Sequence, residues 1–354
     1  MYGAEAVILT LMRELRGGPH RSALGVFQNS SQAPAQLYER AVGEGLETYS
    51  LGCRGQVDLA LVRAIRELVR RCGADVVHAH GYKADVYVYL ALRGGKTAMV
   101  STCHTWYDND LALRVYGVLD RWVLRRYAGV AAVSDEVRQR LLKAGVREER
   151  VVLVRNGIEP GPVVQRARRE GGLCVGLVGR LDREKGVDVF LRAAGLVVKQ
   201  LPLTRFVVAG DGPERGALEG LLGELGLGGR VSLVGRQEDM AGFYASLDLL
   251  VSASRQEGLP MALLEGMGSG LAVVATLVGE VPAVVEPGRT GVLVPADEVE
   301  ALAGAMVGLL RDPVLRARYG AAGRERIARE FSSRGMAGEY VRLYERVCAE
   351  TCCS

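Results

Sequence analysis

The sequence predicts an α/β protein built from two doubly wound domains that face one another across a cleft. Three observations carry this. Short β-rich runs alternate with amphipathic helical segments almost throughout, the pattern of parallel sheets whose crossovers are helices. The rhythm breaks once, at Glu159-Pro160-Gly161-Pro162 and the polar run Gln165 to Gly172, and then restarts. Finally, 354 residues is roughly twice the commonest single-domain size.

Taken in order, the first half offers strands near Ala23 to Phe27, Leu46 to Ser50, Asp75 to His80, Ala98 to His104, Val130 to Ser134 and Val151 to Arg155. The second half offers Leu173 to Gly179, Arg205 to Ala209, Val231 to Val234, Leu249 to Ala253, Ala272 to Ala275 and Gly291 to Val294. Helical patterns fill the intervals. We therefore expect a Rossmann-like domain over 1–160, a linker over 161–172, a second Rossmann-like domain over 173–330 and a terminal helix with tail over 331–354. The last helices, near Pro313 to Glu330 and Met336 to Ala349, precede no strand, so they either cap the second domain or cross back to the first. Ligands of doubly wound sheets bind beyond the carboxyl ends of the strands, which places a site in the cleft.

One element is out of place. The chain opens with Met1-Tyr2-Gly3-Ala4-Glu5 and runs directly into a helical pattern, with no strand before it. In a doubly wound sheet the first strand is central, so its absence leaves two neighbours short of ladder partners. The expectation is a first strand and loop upstream of Met1, roughly 5 to 15 residues.

Composition removes several function classes. Hydrophobic residues at 49% and charged residues at 24% exclude disorder for the bulk of the chain. No stretch approaches a spanning apolar run, and the N-terminus lacks a signal-peptide pattern. The seven cysteines are scattered, without zinc-like spacing, and read as reduced thiols in a cytoplasm. Up to residue 160 there are 22 Lys and Arg against 17 Asp and Glu; beyond it there are 23 against 24. That excess is too small, and too poor in interleaved aromatics, for a nucleic-acid partner. It suits an anionic substrate or the edge of an anionic membrane.

The densest chemistry lies in Ser254-Arg255-Gln256-Glu257-Gly258-Leu259-Pro260-Met261-Ala262-Leu263-Leu264-Glu265. A strand ends there, a Gly-Leu-Pro turn opens a helix, and free first-turn amides between two acids suit an anion such as phosphate. The plain alternative makes Glu257 a dipole partner and Glu265 a surface charge. A second strand-end turn, Gly179-Arg180-Leu181-Asp182-Arg183-Glu184-Lys185-Gly186, places Arg180 and Lys185 where a diphosphate would be neutralised. Only five lysines stand against forty arginines, which singles out Lys185. Two more turns, at Gly210-Asp211-Gly212-Pro213 and Leu277-Val278-Gly279-Glu280, fall on the same sheet edge, with Gly210 allowing close backbone approach.

These motifs, in this order, resemble the retaining nucleotide-sugar glycosyltransferases of the GT-B fold, specifically glycosyltransferase family 4. The likeness runs from Tyr2 to about Phe331. It implies that Arg180 and Lys185 grip the donor diphosphate, that Glu257 contacts the transferred sugar and that Glu265 binds the ribose. It further implies that Gly258, Leu259, Pro260 and Met261 hold sugar and phosphates through the backbone, and that the turn near Gly235 and Arg236 lines the base. Gly3 fits a glycine-rich loop closing over the phosphates, with Tyr2 where a second glycine is usual. His104 is implied near the sugar and leaving phosphate.

Two histidines, His80 and His104, end predicted strands, where an imidazole can donate to a sugar hydroxyl or phosphate oxygen; His78 is expected on the opposite face from His80. No triplet has metal spacing, so no metal and no other cofactor are expected. The function read from all this is retaining transfer of a hexose-type sugar from a nucleotide diphosphate sugar, UDP-linked in preference to GDP-linked, to a hydroxyl of a glycan or lipid-linked acceptor in polysaccharide or glycolipid biosynthesis. A hydrolase or epimerase of the same fold, and a non-catalytic nucleotide-sugar-binding subunit, stay open. Lys83 and Trp106 to Asn109 are candidates for the acceptor. The stripe Leu111 to Tyr127, with Arg114, Arg121, Arg125 and Arg126, reads either as a helix packed on its sheet or as a peripheral contact with an anionic inner membrane face.

Overall fold

The computed structural model describes residues 3–28, 36–55, 58–104, 111–161 and 172–352, the side chains of 3–4, 111–116 and 352 excepted. Its strands are β1 (Leu24–Gln28), β2 (Thr48–Gly52), β3 (Val76–His80), β4 (Ala98–Cys103), β5 (Gly129–Ala132) and β6 (Val151–Leu153) in the first half. The second half holds β7 (Cys174–Val178), β8 (Arg205–Ala209), β9 (Val231–Gly235), β10 (Leu249–Ser252), β11 (Val273–Thr276) and β12 (Gly291–Val294). Every strand lies within two residues of its expected place, and every pairing is parallel.

The chain divides into two compact units, one of Met1–Gly157 with Ser333–Ser354, the other of Ile158–Ser332. In the second unit the sheet runs β12-β11-β10-β7-β8-β9. The chain winds outward from β7 to β9, returns to lie beside β7 as β10, and winds out the other way. That reversal puts the loops after β7 and β10 side by side at the switch point, where a crevice opens in such sheets. The central strands are continuous apolar runs, Cys-Val-Gly-Leu-Val and Leu-Leu-Val-Ser, because helices cover both faces. Val175, Leu177, Phe190, Phe206 and Leu249 form the centre of one layer, and Tyr244, Leu250, Leu264, Met267 and Ile327 the other. The helix Pro313–Glu330 starts where expected: Asp312 accepts from the Leu315 amide at 2.8 Å, and Pro313 occupies a position whose N–H has no helical partner.

In the first unit the strands form two separate sheets, β1-β2 and β3-β4-β5-β6. Against the order of the second unit, the position between β1 and β3 holds no strand among the described residues, and each of these two has one ladder partner. The helix Ser333–Cys352 belongs to this unit, which answers the alternative left open by the sequence. Met336, Tyr340, Leu343 and Val347 bury themselves against Val100, Ala131 and the helix Gly3–Leu15. Among the described residues no helix is long and apolar enough to cross a membrane.

Candidate active site

In the second unit, the turn after β7 is built by its own side chains. Asp182 accepts from the Lys185 amide at 3.2 Å and caps the start of a single 3-10 turn, Arg183–Lys185. Gly186, at φ 60°, then enters the helix Val187–Gln200. A Cβ on Gly186 would lie 2.0 Å from the Ala253 carbonyl oxygen, so only glycine lets this turn reach the end of β10. The stem of Lys185 lies over Gly179, and its Nζ donates to Glu257 Oε1 at 2.6 Å.

Glu257 is reached from two sides. The buried Ser254 hydroxyl also donates to Oε1, at 2.7 Å, and Ser254's own carbonyl accepts from Thr276 Oγ1 at 2.6 Å. Gly279 stacks on the same turn, where a Cβ would meet the Glu257 carbonyl oxygen at 1.8 Å. The carboxylate is thus aimed by a cation, a hydroxyl and the neighbouring backbone. Exposed Gly258 and buried Leu259 lead to Pro260, the N-cap of the helix Met261–Gly268. Proline offers no capping side chain, and no side-chain hydrogen bond caps this helix start, an arrangement that suits a phosphate. Partly buried Glu265, one turn in, accepts from Tyr244 Oη at 2.8 Å. Burial holds the Glu265 carboxyl above its usual range, and the Tyr244 hydrogen bond opposes that rise.

Lys185 and Glu257 therefore meet directly, while Arg180 and Glu265 have other partners, Asp182 and Tyr244. Arg180 is 58% exposed and its nearest acidic partner is Asp182, at 3.7 Å. A side chain at a strand end with solvent on most sides takes the local carboxylate, even a weak one. Gly210, at φ 139°, serves backbone packing: a Cβ there would lie 1.8 Å from the Gly179 carbonyl oxygen. Arg236 is exposed just beyond β9.

In the first unit, Gly3 opens the helix Gly3–Leu15 itself instead of lying in a loop before it, while Tyr2 and 105–110, with Trp106 to Asn109, lie outside the described residues. His80 Nδ1 lies 3.3 Å from His104 Nε2, and the rings stack with centroids 5.6 Å apart. His78 is on the same face as His80, with ring centroids 4.2 Å apart, which corrects the expectation of opposite faces. Strand alternation sends Ala79 the other way; residues two apart point together. Behind them His78 joins Tyr344 Oη and Thr102 Oγ1, both at 2.7 Å, and Thr102 Oγ1 lies 2.9 Å from Tyr340 Oη. Burial pulls His78 down to about 3 and His104 to about 4, and His80 well down too, so all three are neutral near pH 7. Arg125, expected among the lipid-facing cations, spends its Nε–H on the Ala144 carbonyl at 2.6 Å. Arg126 stacks on Trp122 at 3.6 Å. Among the described residues no group of three or more His, Cys, Asp or Glu is arranged to hold a metal ion.

Sequence reasoning missed Tyr244, Arg255 and the tyrosines of the last helix. Arg255 was visible inside the acidic motif, but its partners are far away in the chain. Tyr244 and Tyr340 carry no local signal beyond a polar tip on an apolar face.

Comparison with known proteins bears on this site. Residues 1–161 match the model for Glycosyltransferase Family 4, and residues 172–312 that for Glycosyl transferases group 1. A phosphatidyl-myo-inositol mannosyltransferase of Mycolicibacterium smegmatis is 30% identical over 98% of this chain and 90% of its own. An alpha-D-kanosaminyltransferase of Streptomyces kanamyceticus is 32% identical over 73% of this chain and 74% of its own. Among solved structures, Anabaena HepE in complex with UDP superposes with a TM-score of 0.83 at 20% identity, covering 98% of this chain and 96% of that one. Fold and relatives together define the class, a GT-B glycosyltransferase that uses a nucleotide-sugar donor. The chain belongs to glycosyltransferase family 4.

Proposed function

We propose that the protein moves a hexose-type sugar, with retention, from a UDP-sugar to a hydroxyl of a glycan or lipid-linked acceptor. The observation that carries this is the Lys185–Glu257 contact of 2.6 Å beside the uncapped start of the helix Met261–Gly268. In that arrangement the arriving diphosphate takes Lys185, and the released Glu257 accepts from sugar hydroxyls. Negative charge growing on the departing phosphate oxygen meets Lys185, Arg180 swung from Asp182, and the amides of Gly258 to Met261. Glu265, held at one oxygen by Tyr244, offers the other to the ribose. His104, neutral, offers one ring N–H to a sugar hydroxyl.

The acceptor oxygen bonds to the anomeric carbon on the face that the phosphate leaves, and its proton passes to the departing phosphate. Glu257, still held at Oε1 by Ser254 and engaged by the sugar hydroxyls, is a poor nucleophile; this supports front-face transfer over a glycosyl-enzyme. Two cations and a helix start supply the charge that a metal would, so no metal is needed. The UDP and lipid-linked parts of the reading draw on HepE and the phosphatidyl-myo-inositol mannosyltransferase, respectively. A lipid-linked acceptor also gives a use to the exposed Val118, Leu119 and Trp122, which we place against an anionic membrane surface.

The test is a transfer assay over a panel of UDP- and GDP-sugars, with and without glycan and lipid-linked acceptors, with and without chelator. Nucleotide release that requires acceptor, yields the donor's anomeric configuration and survives chelator is expected. Release without acceptor assigns a hydrolase instead, and an inverted product overturns the mechanism.

A further inference from the structure

Lys185 and Glu257 sit on separate turns, 72 positions apart in the chain, yet their charged atoms are held at 2.6 Å. Something must keep the two turns in register, and the contacts around Arg255 do so. Its backbone N–H donates to the Glu184 carbonyl at 2.7 Å, immediately before Lys185. Its guanidinium grips Asp188 with two parallel bonds, NH1 to Oδ1 at 2.9 Å and NH2 to Oδ2 at 2.8 Å. NH1 also reaches the Arg183 carbonyl at 2.8 Å, and Nε donates to Asp297 Oδ1 at 2.7 Å. The partners thus flank Lys185 on both sides, at Arg183, Glu184 and Asp188. Asp297 is the single non-glycine residue at positive φ among the described residues, 62°, a conformation that needs a holding contact.

We propose that Arg255 is a positioning residue for the transfer reaction, bracing the lysine turn against the glutamate turn so that Lys185 and Glu257 face one ligand. The proposal rests on the roles given to those two residues above. A planar fork is what the task requires: one side chain must meet a carboxylate edge-on and a carbonyl beside it, which the point charge of a lysine does not do. Arg180, exposed and without such a brace, is free to follow the ligand.

The test compares Arg255→Lys, Arg255→Ala, Lys185→Ala and the double variant Lys185→Ala/Arg255→Lys in the full chain. Three readouts are taken: kcat and donor KM, thermal melting, and amide hydrogen exchange over 180–188 and 253–258. Arg255→Lys, which keeps the charge, is expected to stay folded, to exchange faster in both turns, and to lose about 10- to 100-fold in kcat with a much smaller change in KM. On the Lys185→Ala background the same change is expected to cost less than about twofold, because residues acting as one unit are not additive. Losses that multiply in full, or exchange unchanged in the lysine turn, overturn the brace. Normal transfer by Lys185→Ala overturns the reading of Lys185 instead. In that case faster exchange in both turns together with lower kcat in Arg255→Lys still supports the brace, and the absence of either defeats it. If Arg255→Ala alone fails to fold, Arg255→Lys decides.

Discussion

The two units carry polar groups at strand ends in opposite ways. In the second, the sheet is continuous, and the loop after β10 touches its neighbours through backbone, with Gly186 after β7 on Ala253 and Gly279 after β11 on Glu257. Lys185 and Glu257 sit on that frame as a salt bridge. In the first, the sheet is in two pieces, and the histidines of β3 and just after β4 are neutral and stack on one another, with His78 propped by tyrosines from the far end of the chain. A frame made of backbone holds charges that must change partners during a reaction. A frame made of side chains holds rings in place, and it depends on the helix Ser333–Cys352 for that.

The sharpest way to break this contrast is at the charged pair. Lys185→Ala and Glu257→Gln are each expected to lower kcat by about 10²- to 10³-fold, the usual cost of removing a group aimed at developing charge. Melting temperature should hardly move, because the frame beneath is glycine and main chain. Near-normal transfer by either variant would remove that residue from the site; a large fall in melting temperature would show that the pair is structural.

The first unit should answer to pH instead. His78 and His104 ordinarily titrate near 6.5 but are held at about 3 and about 4 here, and His80 is lowered with them. Below pH 6.5 the unfolded chain takes up protons that the folded one refuses, so stability falls as pH drops, and the share due to His78 and His104 is fully lost near pH 3. Each histidine adds about 1.4 kcal/mol per pH unit within its window. Urea midpoints from pH 7.5 to 4 should show this slope, and His78→Phe should flatten it; an unchanged slope would mean the ring is hydrated.

A smaller effect separates the two acids. Tyr244→Phe leaves Glu265 buried with one donor fewer, which raises its pKa further and weakens its grip on ribose. We expect donor KM to rise about tenfold with kcat little changed, and a stability loss of about 1 kcal/mol. A fall in kcat with constant KM would place Glu265 at the chemistry instead.

How much of this could be read beforehand follows the same division. Parallel strands buried on both faces are apolar runs such as Cys174–Val178, and the turns between them announce themselves by glycine and proline, so the strands and the Ser254–Met261 motif were legible. Lys185 stood out because lysine is scarce in the chain. Interactions that join distant segments were not legible: Arg255 with Asp188 and Asp297, Tyr244 with Glu265, Tyr344 with His78. Each belongs to a polar side chain whose partner is chosen by tertiary packing, on which spacing is silent. The exposed Arg180 shows the converse. Its position in the motif was plain, but its partner is the carboxylate that is nearest in sequence.

The smallest expected effect concerns the helix Leu111–Leu124 and its continuation. Val118, Leu119 and Trp122 are 60, 44 and 44% exposed, an apolar strip on a surface where Arg125 is turned to Ala144 and Arg126 lies over the indole. Fully burying an apolar side chain of this kind is worth about 1.5–3 kcal/mol, and each cation near an anionic surface about 1 kcal/mol. Three partly exposed groups and one or two cations therefore give weak, reversible binding, mostly lost when salt screens the surface. Vesicles of phosphatidylcholine with a third phosphatidylglycerol should pellet a minor fraction of the protein at low salt and little at 0.5 M. Trp122→Ser should abolish it, since the ring supplies both the apolar face and the platform that holds Arg126 outward. Pelleting that survives Trp122→Ser would move the contact to another surface, and none at low salt would leave this strip without a lipid role.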